Sequence, residues 1–109
     1  MANLDRNRVS AVLNGGEPMA VVGHNRVMAN DRGEVLCSLH GHVIVREKGG
    51  VVEFNPCGLM TPTTTRAMKE FASVLGIDVH PSFRGGSFTV EYKSTTWHPD
   101  YMGVVRIQK

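Results

Sequence analysis

The spacing of apolar positions changes period within this chain. Between Thr61 and Gly76 it is helical: Thr64, Met68, Phe71, Ala72 and Leu75 recur at three and four residues, while Lys69, Glu70 and Ser73 fall elsewhere. The start and stop of that helix are also written in. Thr61 offers a hydroxyl to an orphan backbone N–H, Pro62 occupies the first helical position, where its missing N–H costs nothing, and Gly76 ends the run. The pattern predicts a helix over 62–75.

On either side the period is two. Residues 19–22 form an apolar strand, with Gly23-His24-Asn25 as a turn candidate and 26–28 extending the pairing. Asn30-Asp31-Arg32-Gly33 reads as a turn, and residues 34–45 as one strand with Val35, Cys37, Leu39, Val43 and Val45 on one face. Lys48-Gly49-Gly50 turns the chain into a returning strand at 51–54, and Asn55-Pro56-Cys57-Gly58 breaks it. After the helix come a short strand at 77–80, a turn region Phe83-Arg84-Gly85-Gly86, and a strand at 87–93 with Phe88, Val90 and Tyr92 on one face. A long loop at 94–101 and a final strand at 104–107 follow. Residues 49–54 and 85–92 look like two similar hairpins. Residues 4–13 place Leu4, Val9, Val12 and Leu13 roughly together, which predicts a short helix stopped by Asn14-Gly15-Gly16.

These elements give an α+β fold in a single domain, 1–109. An antiparallel sheet of short hairpin strands is packed by the central helix, and the N-terminal helix lies across the sheet or at its edge. The length of 109 residues suffices for a core without staples.

Composition narrows the function classes. There are 12 basic and 10 acidic residues, interleaved in short runs such as Asp31-Arg32-Gly33-Glu34 and Arg46-Glu47-Lys48. Without a dense Lys/Arg block, strong nucleic-acid binding would require folding to gather cations. The longest apolar run, 19–22, excludes a helical membrane span. The N-terminus carries no hydrophobic signal region, and Cys37 and Cys57 are the only cysteines, which points to a reduced, cytoplasmic setting.

Cys37, His40, His42 and Cys57 have the residue types of a zinc site. Strand periodicity sets Cys37 and the two histidines on opposite faces, so no metal and no cofactor is expected. Cys57, four residues before the helix, could have its pKa lowered by the helix N-terminus, but no motif supplies a base, and no catalytic residue is expected. Thr63, Thr64 and Arg66 at the helix start could hold an anion, against the plainer reading that the threonines cap. Phe83, Phe88, Tyr92, Trp97 and Tyr101 lie among Arg84, Lys93 and Arg106, as aromatics do on a base-stacking surface, although Phe88 and Tyr92 share the core face of Val90. Trp97, if exposed, would anchor a protein contact.

The order Leu39-His40-Gly41-His42, a hairpin, then Gly58, Thr61, Thr63-Thr64 and Arg66 opening a helix, then a hairpin with Gly85-Gly86, resembles a pattern in small phage and prophage accessory proteins. It covers about half the chain. The resemblance implies a mobile-element origin, a bacterial cytoplasm as the setting, and a role as a binder that blocks or redirects a host factor. The expected function is therefore a non-catalytic protein that occludes a host macromolecule through Arg66, Trp97 and Tyr101, with Thr63, Thr64 and Arg84 as further contact residues. The alternatives are a nucleic-acid binder using Arg66, Arg84 and Lys93, and a self-associating structural protein pairing through an edge strand such as 104–107.

Overall fold

The structure, a computed structural model, describes residues 19–22, 25–29 and 32–109. The expected helix over 4–13, the Gly23-His24 turn and the start of the Asn30 turn lie outside them. Nine strands and one helix are described: β1 (Met19–Val22), β2 (Asn25–Ala29), β3 (Val35–Leu39), β4 (His42–Lys48), β5 (Val51–Phe54), α1 (Pro62–Val74), β6 (His80–Arg84), β7 (Ser87–Tyr92), β8 (Thr95–Trp97) and β9 (Val105–Gln108). The α+β class holds. The strands divide into two antiparallel sheets, one of six in the order β1-β2-β3-β4-β5-β9 and one of three in the order β6-β7-β8.

The helix forms as its sequence dictates. The Thr61 hydroxyl accepts from the Thr64 N–H at 3.4 Å, and Pro62 opens the first turn. At the other end Gly76, at φ 94°, lets its own N–H reach Ser73 O and the Ile77 N–H reach Ala72 O, which closes the last turn. The buried stripe is Thr64, Ala67, Met68, Phe71 and Ala72, with Leu75 just beyond as the C-cap. This stripe packs on β6 of the small sheet and on β3 and β4 of the large one. One core results, with Phe54, Phe71, Ile44 and Met68 among its largest fully buried side chains.

Several strand boundaries differ from the sequence reading, each for a local reason. The expected strand over 34–45 is two strands, because His40 and Gly41 both take positive φ (52° and 82°) and reverse the chain between Leu39 and His42. A bulge in the β3–β4 ladder, where the register shifts between Cys37 and Ser38, then buries both Ile44 and Val45. Val43 consequently lies exposed rather than on the core face. Past the helix, Ile77 and Val79 are buried outside any strand. The strand begins at His80 and runs through Phe83 and Arg84, so the turn is Gly85-Gly86 alone. The loop expected over 94–101 contains β8, reached through a two-residue turn at Lys93 and Ser94. The last strand is shifted by one residue, to Val105–Gln108.

Candidate interaction surface

The inner face of the large sheet is covered by the core, and among the described residues no helix or second sheet packs on its outer face. Register partners carry one row across that face: Met28, Leu36, Arg46, Glu53 and Arg106, from β2 through β5 to β9. A wet face of an antiparallel sheet usually carries polar residues. Here Met28 and Val43 are exposed and Leu36 half-buried. The bulge that buries Ile44 is what turns Val43 outward.

The β8–β9 connection rises at the edge of this face. Asp100 fixes its shape. Its Oδ1 accepts from the Met102 and Val104 N–H groups at 2.9 and 3.2 Å, its backbone N–H donates to Val104 O, and its Oδ2 accepts from the Arg106 guanidinium. The Arg106 hydrogen bond, helped by the two backbone donors, holds the Asp100 carboxyl below the usual carboxylate range. The turn is thereby set to display Tyr101, 97% exposed, and Met102, 65% exposed. A cavity of about 450 Å³ lies between this turn and the sheet, with Leu36, Val43, Met102 and Val104 among its apolar lining and Arg46, Glu53 and Arg106 among its charged lining.

The charges around the cavity are engaged with one another. Arg46 reaches Glu53 at 3.1 Å and Glu34 at 3.6 Å, while Arg106 reaches Glu53 at 3.0 Å and also pairs with Asp100. A chain of alternating charge, Glu34, Arg46, Glu53, Arg106 and Asp100, thus ties β4, β5 and β9 to the display turn. Exposed pairs of this kind contribute little stability singly. Here Arg46 and Arg106 both turn toward Glu53 beside the cavity.

Cys57 also lines the cavity. It is exposed at φ 53°, donates its backbone N–H to Asn55 Oδ1 at 2.9 Å, and donates its thiol to Val43 O at 3.3 Å. Burial raises its pKa, opposite to the lowering expected from the nearby helix N-terminus. Cys37 is sealed in the core, while His40 and His42 are exposed, so folding does not gather these groups.

The remaining sequence-predicted residues scatter. Thr64 is buried at 1% exposure, and its hydroxyl shares a hydrogen bond with that of Thr61 at 3.1 Å. The Thr65 hydroxyl donates to Pro62 O at 3.0 Å, so the threonine run serves the helix start, with Thr63 exposed beside Arg66. Arg84 and Lys93 bracket β7, one at the β6–β7 turn and the other at the β7–β8 turn. Six strand residues separate them by roughly 20 Å along β7. Trp97 is the register partner of Val90, on the core-facing side of the small sheet, yet 40% of it remains exposed. Of the predicted set, Thr63, Thr64 and Arg66 share the start of α1, and Trp97 and Tyr101 lie at the end of β8 and in the connection that follows it. The sequence reading missed Leu36, Val43 and Met102, although Met28 and Leu36 at outward positions were a detectable breach of alternation.

The described residues hold no helix long and apolar enough to cross a membrane. No protein-family model, curated protein or solved structure matches this chain.

Proposed function

We propose that this chain is a non-catalytic binding protein that engages a partner protein through the Tyr101–Met102 turn and the cavity of mixed apolar and charged lining beside it. One observation carries the reading: the two large side chains stand out from a turn whose backbone is held by Asp100 and Arg106. Pre-organised, exposed aromatic and methionine side chains beside an apolar surface are what a protein contact uses, because little ordering entropy is lost when they are buried. Trp97, at the start of the same connection, extends the contact. The resemblance to phage accessory proteins supports a host macromolecule as the partner and blockade as the outcome.

The test is affinity capture from a bacterial host lysate on the immobilised full-length chain, repeated with Tyr101→Ala and with Trp97→Ala. A partner retained by the native chain and lost with Tyr101→Ala is expected; as a central hot spot, Tyr101 should contribute about 2 kcal/mol or more to binding. Capture that Tyr101→Ala leaves unchanged, or no specific capture at all, overturns the reading.

A further inference from the structure

The three-stranded sheet has a face that the core does not use. Phe88 and Val90 are buried, and their register partners Phe83, Pro81 and Trp97 share that side. Successive strand residues alternate between faces, so the other side carries three rows: His80 with Glu91 and Thr96, Ser82 with Thr89, and Arg84 with Ser87. Every one of these side chains is polar. A cavity of about 340 Å³ opens on the rows and shares no lining residue with the one beside Tyr101.

The ladder holds two opposite charges apart on this face. Arg84 stands in the row next to the Gly85-Gly86 turn, and Glu91 stands four strand positions further along β7, at about 13 Å. Among the described residues neither makes an ion pair. The cross-strand partner of Glu91, His80, is engaged instead by Lys69, with Nζ 2.9 Å from Nδ1. Midway between the charges the Ser82 and Thr89 hydroxyls share one hydrogen bond at 3.3 Å. That bond uses one of their two O–H groups, which leaves an O–H donor and free lone pairs directed at a ligand backbone.

We propose that this face binds a short extended peptide with free ends. Its carboxylate meets the Arg84 guanidinium, its ammonium meets Glu91, and its amides bond the hydroxyls of Ser82 and Thr89 between them. An extended chain covers about 3.3–3.6 Å per residue, so about four residues span the two charges. Among the described residues this face carries no aromatic side chain on which a nucleic-acid base could stack. A lone phosphate would occupy the Arg84 end and leave Glu91 unanswered.

Titration of tetraalanine into the full-length chain, followed by backbone amide NMR shifts, tests the site. Shifts centred on residues 80–84, 87–91 and 96 are expected. Amidating the peptide's C-terminus, or acetylating its N-terminus, should each weaken binding about tenfold or more, the value of one charge-assisted hydrogen bond. Arg84→Gln should weaken the free peptide by a similar factor and leave the amidated peptide unchanged; Glu91→Gln should do the same with the acetylated one. Both positions are exposed, so the variants keep the fold. No shift at these residues with millimolar tetraalanine overturns the proposal, as does an affinity blind to both caps. Inorganic phosphate that shifts the same residues and binds more tightly than tetraalanine would make this a plain anion site and also overturn it.

Discussion

At the scale of single residues, burial decides chemistry that composition leaves open. Cys37 and Cys57 are the same side chain in the sequence. The Cys37 thiol, 1% exposed, is pushed up to about 12 from an ordinary 9.0, first by burial and then by the charge of Glu47. Between those two values the unfolded chain has released this proton and the folded chain still holds it. The unfolded state then binds fewer protons, so stability falls as pH rises from 9.0 towards 12. The loss attributable to Cys37 is of the order of 4 kcal/mol across that window. Denaturant unfolding of the native chain and of Cys37→Ala should therefore converge in stability as pH rises, because the variant lacks this proton. Parallel pH profiles for the two proteins would sink that account.

At the scale of elements, the recurring device is a two-residue turn with both φ values positive. It joins β3 to β4 at His40-Gly41, β4 to β5 at Gly49-Gly50, β6 to β7 at Gly85-Gly86, and β7 to β8 at Lys93-Ser94. This backbone matches the right-handed twist of the strands it connects. The two glycine pairs were legible because glycine accepts positive φ without strain. Lys93-Ser94 was not, since neither residue prefers that conformation, and the pairing of Tyr92 with Thr95 holds it there. Replacing Gly86 with alanine isolates the conformational cost, because a Cβ there meets nothing within 4 Å at φ 79°. Thermal melts should show a loss of about 1 kcal/mol. At Gly50 a Cβ would also meet Gln108 Nε2 at 3.0 Å, the group that bonds Gly50 O, so Gly50→Ala should lose more. Equal losses would remove the contact from the explanation.

At the scale of the whole molecule, α1 makes two sheets into one structure. Phe71 is 1% exposed on the helix stripe, and α1 touches strands of both sheets. Phe71→Ala should cost about 3–5 kcal/mol. It should also lower one common unfolding transition, followed alike by Trp97 fluorescence in the small sheet and by circular dichroism of the whole chain. Two separate transitions would show that the sheets do not share a cooperative core.

The sequence by itself determined the central helix, its cap, its stop and most of its buried face, because period, hydroxyl and glycine signals are local. It also determined the two glycine hairpins and the α+β class. Tertiary structure decided the rest. Whether residues 34–45 made one strand or two depended on ladder partners many residues away. Which of Ile44 and Val43 faced water depended on a bulge that exists only against β3. The display of Tyr101 and Met102 depended on Asp100, Arg106 and Glu53, and Glu53 and Arg106 are 53 residues apart in the chain. Local pattern carries the conformational preference of a segment. A surface assembled from four strands is fixed by pairings between segments, and no single stretch of sequence contains them.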